Sequence, residues 1–192
     1  MQIKNNFEVP LGNEETWVVL QDIPLVAPCM PSAEYLGMTD DGLTHKIRIS
    51  VKLGPVALVF AGTAKIDELD TAQKRALVKA QGSDTKGRGG ASAAITFTLT
   101  PTDTGTRVDV VTDVALSGSV AQYGRGAGII QGVSTQLVNQ FASNLRSLIL
   151  KDSPPAEASK PISGATLIGK AMWSGVRDKF RRNEGESDVG KP

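Results

Sequence analysis

Apolar and polar residues alternate along several segments in the first two-thirds of this 192-residue chain. In HKIRISVKL, residues 45–53, an Ile, Val or Leu occupies every second position from Ile47 onward, and Lys, Arg or Ser lies between. A period of two is typical of a β-strand with one buried face. Similar alternation predicts further strands over residues 2–9, 56–67, 75–82, 91–100 and 107–118. About six strands joined by turns predict an antiparallel meander.

Two segments have helical periodicity instead. A short helix is predicted over residues 14–23, EETWVVLQDI, which opens with two glutamates where the helix dipole favours them. Pro24, Pro28 and Pro31 prevent it from continuing. A long amphipathic helix is predicted within residues 124–150, where apolar residues recur at helical spacings. They are Ile130, Val133, Leu137, Phe141, Leu145 and Leu148. This order predicts an α+β helix-grip domain over residues 1–150, in which a curved antiparallel sheet wraps around the long C-terminal helix and leaves a cavity.

The inward positions of the strands follow from the same alternation. They supply an apolar wall opposite Val133, Leu137 and Phe141: Ile49, Val51, Leu58, Phe60, Ile95, Phe97, Val110 and Val114. A solid core and a ligand cavity would have the same periodicity, so both interpretations stay open. Aromatic residues make up only 5% of the chain. This scarcity favours a cavity, because a wide sheet is harder to fill tightly with small side chains.

Glycines crowd the entrance to the long helix, at Gly118, Gly124, Gly126, Gly128 and Gly132. A phosphate-binding loop would need G-x-G-x-x-G inside a βαβ unit, or Lys-Ser/Thr after the last glycine, and the segment has neither. The cluster is typical of a tight strand-to-helix turn. Alternatively, the missing side chains leave room for a flat ring between helix and sheet. Gln122 and Tyr123 could then bond a carbonyl of that ring, or they could be exposed loop residues.

The last 42 residues differ in composition from the rest of the chain. Residues 151–161, KDSPPAEASKP, are predicted to be a linker, and residues 183–192 a disordered tail. Residues 162–182 are predicted to form a basic amphipathic helix, since residues 170–182 hold five basic residues against one acidic. Such a helix suits reversible attachment to an anionic membrane, with packing on a partner or on its own domain as alternatives. The docking residues would be Ile162, Met172, Trp173, Val176, Arg177, Phe180, Arg181 and Arg182.

Cys29 and His45 are the chain's single cysteine and single histidine. Their scarcity excludes an intramolecular disulfide and argues against a zinc site or a Cys/His hydrolase. We predict no catalytic residue and no metal site. Cys29 is expected to be a small buried hydrophobe, and His45 a strand residue near a turn, with a proton or ligand role as the alternative. The N-terminus lacks the apolar core of a secretion signal, which favours an intracellular protein.

Three segments together resemble the G-subunit family of carbon monoxide dehydrogenases, a branch of the START-related helix-grip superfamily. They are DGLTHKIRISVKLGPVALVFAGTAKI, KAQGSDTKGRGGASAAITFTL and GTRVDVVTDVALSGSVAQYGRGAGIIQGVSTQLVNQFASNL. Within them KLGP, the turn at residues 82–84 and SGSVAQYGRG occur in order, and the likeness runs from Met1 to about Leu150. The resemblance implies an accessory protein of molybdenum-containing carbon monoxide dehydrogenases and related hydroxylases. It also implies a link between those enzymes and the membrane, and a cavity that handles a lipophilic quinone.

On that resemblance we expect a non-enzymatic protein of the cytoplasm, peripherally associated with the inner face of the cell membrane. Its partners would be the dehydrogenase, the membrane surface and a bound quinone, menaquinone or ubiquinone, with no nucleic acid and no tightly required cofactor. The alternatives are a recruitment tether without ligand and a helix-grip enzyme of the cyclase or hydratase kind. The expected ligand-binding residues are Leu58, Phe60, Phe97, Val110, Gln122, Tyr123, Gly126, Ile130, Val133, Leu137 and Phe141.

Overall fold

Seven antiparallel strands form one sheet in the computed structural model, which describes residues 1–53, 56–125 and 127–150. The strands are β1 (Gln2–Val9), β2 (Ala33–Met38), β3 (His45–Leu53), β4 (Val56–Asp70), β5 (Arg75–Asp84), β6 (Gly90–Thr102) and β7 (Gly105–Leu116). Their order in the sheet is β1-β7-β6-β5-β4-β3-β2, so β2 to β7 form a meander and β1 joins it beside β7. The predicted meander is confirmed.

Three α-helices and two 3-10 helices accompany the sheet in the described residues. They are α1 (Asn13–Gln21), α2 (Ile23–Val26), the first 3-10 helix (Ala27–Cys29), the second 3-10 helix (Gly118–Arg125) and α3 (Ala127–Ile149). α3 is the predicted long helix, and no described helix is long and apolar enough to cross a bilayer. The predictions for residues 151–192 lie outside the described residues.

The short N-terminal helix ends earlier than predicted. α1 stops at Gln21, and the side chain of Asp22 accepts a hydrogen bond from the backbone N–H of Leu25 at 3.0 Å, which starts α2. Pro24 lies in the first turn of α2, where its missing N–H leaves no hydrogen bond unmade. The proline therefore helps to begin a second short helix rather than simply ending the first.

The sequence pattern did not predict β2. In this strand Ala33 and Tyr35 are half-buried, whereas Leu36 and Met38 are 41% and 50% exposed. Because apolar residues occupy both faces, the alternation that marks the other strands is lost. The pairing with β3 also shifts register between Tyr35 and Gly37, and Gly37 adopts a φ of 106° that favours glycine.

Strands β4 and β5 approach each other closely at one pair of glycines. Gly62 lies opposite Gly82, and a Cβ atom added to Gly62 would lie 1.9 Å from the carbonyl oxygen of Gln81. No real Cβ tolerates that distance, so only glycine permits this pairing. The close approach places two residues without side chains at the middle of the sheet.

Large apolar side chains from the sheet and from α3 pack together at one end of the inner face. Trp17 of α1 is only 3% exposed and contacts Phe97 with ring centroids 6.0 Å apart. Phe7 meets Phe141 of α3 edge to face at 5.7 Å, and Leu145 is fully buried. α3 is therefore fastened to the sheet mainly through its C-terminal half.

Candidate ligand-binding groove

The inner face of the sheet can be traced from strand pairing, because directly opposite residues of antiparallel strands point to the same side. Buried Phe60 marks the inner face; it lies opposite Ile49 of β3 and Asp84 of β5. Along the central strands the inner positions are occupied by small residues. They are Gly62, Ala64, Ala80, Gly82, Ala91 and Ala93. We call these six residues the small-residue floor.

Most of the floor is only half-buried. Ala64 is buried, whereas Gly62, Ala80 and Ala93 are partly accessible although they lie at the centre of a seven-stranded sheet. A filled core would bury central inner positions almost completely, as it does for Phe97 and Leu99 further along β6. The middle of the inner face is therefore not filled by the chain's own side chains.

Two apolar clusters lie on either side of the floor. The large core contains Phe97 and Val110, with Phe141 packed against it; the small core contains Leu58, Phe60 and Ile130, with Val133 packed against it. The predicted wall therefore divides between two clusters instead of forming one surface. Leu137, half-buried, lies on α3 between Val133 of the small core and Phe141 of the large core. The additional wall residues divide likewise: Ile95 packs on the large core, and Ile49, Val51 and Val114 on the small one.

The residues predicted at the helix entrance are only partly described. Gln122 is exposed in the second 3-10 helix, and the backbone of Tyr123 belongs to the same helix. The side chain of Tyr123 and all of Gly126 lie outside the described structure. Gly128 and Gly132 of α3 are both exposed, and a Cβ added to either would meet no atom within 4 Å.

A polar bridge joins β1 to α3 between the two cores. Asn5 lies on β1 between Ile3 of the small core and Phe7 of the large core. Its Nδ2 donates to Ser134 Oγ at 3.0 Å, and its Oδ1 accepts from Thr135 Oγ1 at 3.1 Å. The bridge fixes the middle of α3 against the edge of the sheet without adding apolar side chains to the groove.

A buried ion pair organises the loop between β5 and β6. Asp84 is only 4% exposed and accepts from Arg88 Nε at 2.8 Å and Nη2 at 2.9 Å. The Arg88 guanidinium holds the pKa of Asp84 well below its usual range. The carbonyl of Arg88 then accepts from Ser119 Oγ at 2.6 Å and from the backbone N–H of Val120 at 3.1 Å. The turn that ends β5 thus ties the β5–β6 loop to the segment that leads into α3.

One polar pair lies on the inner face of β2 and β3. Tyr35 Oη is 3.1 Å from His45 Nδ1, and their rings are 5.8 Å apart. Burial lowers the pKa of His45 below its usual value, while Asp22 and Asp41 act in the opposite direction. The signal for His45 was its inward parity with Ile47 and Ile49. Tyr35 was missed together with its strand.

Burial of Cys29 is confirmed. Its side chain is 4% exposed, and burial raises the pKa of the thiol to about 11, so the thiolate is scarce at neutral pH. The carbonyl of Cys29 accepts a hydrogen bond from Asn144 Nδ2 of α3 at 2.9 Å. This cysteine therefore helps to anchor α3 through its backbone and has the character of a small apolar residue.

Two open depressions in the described residues are centred elsewhere. One lies around Ala61, Ser83 and Ser92 of the outer face, and its lining also includes Gly82 and Ala91 at the edge of the floor. The other lies at the start of α1, with the β6–β7 turn on its opposite side. Both are broadly open to solvent and neither contains a residue of the predicted wall. The half-buried floor beneath α3 remains the better candidate, because a ligand there would be enclosed on two sides.

Comparison with known proteins supports the fold. The sequence profile of the carbon monoxide dehydrogenase G-subunit family (CoxG) matches residues 6–150. A search of curated proteins finds no match. Among solved structures, a conserved protein from Geobacillus kaustophilus superposes with a TM-score of 0.66 and 19% identity, covering 79% of this chain and 96% of that one.

Two further solved structures have lower similarity. The Zhui aromatase/cyclase from Streptomyces sp. R1128 gives a TM-score of 0.52 at 12% identity, covering 78% of this chain and 95% of the other. A START superfamily protein from Mycobacterium smegmatis gives 0.50 at 15% identity, covering 78% and 97%. At such identities the likeness shows the fold alone. The predicted α+β helix-grip fold is confirmed.

Proposed function

Because the chain belongs to the carbon monoxide dehydrogenase G-subunit family, we propose that it is a non-enzymatic accessory protein of a molybdenum-containing carbon monoxide dehydrogenase or related hydroxylase. It binds a lipophilic quinone, such as menaquinone, in the groove between α3 and the sheet. The protein brings the quinone within reach of the enzyme. The quinone then accepts two electrons and two protons and leaves as the quinol. The redox chemistry belongs to the enzyme and the quinone, and the groove only has to bind both forms.

The observation that carries this proposal is the half-buried small-residue floor. Gly62, Ala80 and Ala93 have little or no side chain, and they lie between two apolar clusters that would contact the rings and tail of a lipophilic molecule. A quinone that buried roughly 400 Å² there would gain on the order of 10 kcal/mol before the costs of ordering, at about 25 cal/mol per Å². Binding of that strength needs no catalytic group.

Membrane contact is the second part of the proposal. Lipophilic quinones reside in the bilayer, so a carrier must visit its surface. The basic segment 162–182 supplies apolar anchors such as Trp173 and flanking cations such as Arg177. An interfacial helix of this kind gains roughly 1 kcal/mol for each basic residue near anionic lipid, which gives reversible attachment on the cytoplasmic side.

The first test is direct identification of the ligand. The full chain is expressed in a quinone-producing host, analysed by native mass spectrometry and extracted with organic solvent. We expect a bound quinone near one molecule per chain. An empty protein that also fails to bind a menaquinone analogue in a fluorescence titration would contradict the proposal.

A matched pair of variants places the quinone on the inner face. Ala93 faces the groove opposite Ala80 and Val114, whereas its neighbour Ala94 faces outward opposite Lys79 and Asp113. Ala93→Phe should lower affinity for the analogue at least about tenfold by occupying the space above the floor, whereas Ala94→Phe should leave it unchanged. Thermal unfolding of both variants checks that each is folded. Equal affinities would place the ligand elsewhere.

The two alternatives make different predictions in the same experiments. A tether without ligand would associate with anionic liposomes and with the enzyme but carry no quinone. A cyclase-like enzyme would convert an added polyketide-type substrate, and the similarity to the Zhui aromatase/cyclase is limited to the fold. The inner face has few polar groups available for such chemistry, so the carrier is the better supported function.

A further inference from the structure

Two side chains on β2 and β3 face the same side of the sheet as the small-residue floor. Tyr35 lies opposite Ile47, and Ile47 lies opposite Gly62 of the floor. His45 lies opposite Ala64, another floor residue. Tyr35 and His45 therefore border the floor at one margin of the groove, and both are only partly buried.

The pair retains hydrogen-bonding capacity that its internal contact does not use. The contact of 3.1 Å joins Tyr35 Oη to His45 Nδ1, and within the described residues His45 Nε2 has no hydrogen-bond partner. Asn5, by contrast, uses both ends of its amide on Ser134 and Thr135. The Tyr35–His45 pair is thus available to an incoming ligand, whereas the Asn5 bridge is already occupied.

The charge state of the imidazole suits a neutral ligand. Burial lowers the pKa of His45, and the two carboxylates that act on it, Asp22 and Asp41, only partly oppose this. The ring is therefore mainly neutral near pH 7, with one nitrogen as donor and the other as acceptor.

Either tautomer offers a donor to a ligand. If Tyr35 donates to Nδ1, the Nε2–H of His45 is free to donate. If Nδ1–H donates to Tyr35, the phenol O–H is free to donate and Nε2 becomes an acceptor. The first arrangement suits a carbonyl oxygen, and the second suits a hydroxyl group.

We propose that Tyr35 and His45 form the polar end of the groove and bond the oxygen-bearing head of the lipophilic ligand, accepting either a carbonyl or a hydroxyl group by a change of tautomer. This inference rests on the proposed function and adds the residues that orient the ligand. It explains how one groove holds a quinone and its quinol in the same pose. No proton leaves the pair in this exchange, because the two tautomers contain the same atoms.

The test uses His45 as its own probe. Since it is the chain's single histidine, its imidazole nitrogens give the only histidine side-chain resonances in a ¹⁵N spectrum. The probes are a short-chain menaquinone analogue and a naphthalene with the same methyl group and chain but without the two oxygens. We expect the quinone to shift the His45 nitrogen resonances, the naphthalene to leave them unchanged, and reduction to the quinol to alter the shift again.

Conservative variants supply an independent readout. Tyr35→Phe and His45→Gln should each weaken quinone binding about five- to tenfold, the loss expected for one hydrogen bond, and leave naphthalene binding unchanged. Thr112→Val is the matched control, because Thr112 is another half-buried inner-face residue, opposite Ile3 and Ile95. It should affect neither ligand.

The outcomes separate this inference from the proposed function. If the quinone binds but neither the His45 resonances nor the affinities of the Tyr35 and His45 variants respond, the pair is a structural contact and this inference is overturned. If neither ligand binds the unaltered chain, the proposed function fails as well. Weakened binding in Thr112→Val alone would place the head group at β7 and likewise overturn the inference.

Discussion

Gly62 and Gly82 show how single residues shape the groove. The pair brings β4 and β5 so close that a Cβ at Gly62 would overlap the carbonyl of Gln81. The same two residues leave the centre of the inner face without side chains. One choice of residue therefore sets both the strand spacing and the open floor, and a substitution there would disturb both.

We predict that Gly62→Ala lowers the free energy of unfolding by about 1–3 kcal/mol, the usual cost of forcing an extra group into a packed site. Gly132→Ala is the control, because Gly132 lies on the exposed side of α3 with open space around its Cβ position. It should stabilise the protein by about 0.5–1 kcal/mol by favouring the helix. Urea unfolding measures both, and an equal effect of the two would contradict the close approach of β4 and β5.

Elements are joined around the groove by specific polar contacts as well as by packing. The Asn5 bridge fastens α3 to β1, and the Asp84–Arg88 pair fastens the β5–β6 loop to the second 3-10 helix. That 3-10 helix leads directly into α3. The start of α3, which covers the small core, is therefore positioned by an ion pair at the end of β5.

Asp84→Asn should lower the melting temperature at pH 7 by roughly 5 °C or more, since it removes the charged partner of Arg88. The pKa of Asp84 is lowered in the folded state, so its contribution is fully present above the unfolded value near 4 and is lost as the pH falls below it. The difference between the unaltered chain and the variant should therefore narrow below about pH 4. Calorimetry at several pH values measures this.

Asp109→Asn is the matched control for that experiment. Asp109 also pairs with an arginine, Arg107 at 3.0 Å, but both side chains are nearly half exposed on the outer face. An exposed pair of this kind contributes little, so the melting temperature should hardly change. A pH-independent gap for the Asp84 variant would show that the lost contact is not electrostatic.

For the whole molecule, the proposal divides two tasks between two parts of the chain. Residues 1–150 supply the groove, and residues 162–182, with five basic residues between Lys170 and Arg182, are predicted to touch anionic lipid. Residues 151–161 are predicted to link them. A carrier that alternates between membrane and enzyme needs reversible attachment, and one short amphipathic segment provides that.

Truncation after Lys151 tests this division. We predict that the shortened protein binds the menaquinone analogue as the full chain does, but no longer co-sediments with vesicles that contain anionic lipid. In the full chain, Arg177→Glu combined with Arg181→Glu should also abolish sedimentation, whereas Trp173→Phe should weaken it only slightly. Loss of quinone binding on truncation would mean that the tail helps to form the site.

Much of the fold could be predicted because the alternation of strands is a local property. Ile47, Ile49 and Val51 indicate their face within nine residues, and the spacing of Ile130, Val133 and Leu137 does the same for α3. β2 was missed because Leu36 and Met38 place apolar side chains on the exposed face. The division of the predicted wall into two cores could not be foreseen, since it depends on which strands α3 covers.

The sequence by itself determined the antiparallel meander, the long helix, the inward set of residues and the family, because each follows from local periodicity or from the order of short motifs. Only the tertiary structure decided which inward residues meet. It placed Tyr35 against His45, buried Asp84 with Arg88 and left Gly62, Ala80 and Ala93 half-accessible. These outcomes depend on strand register and on close approach between distant segments, and no local pattern in the chain encodes either.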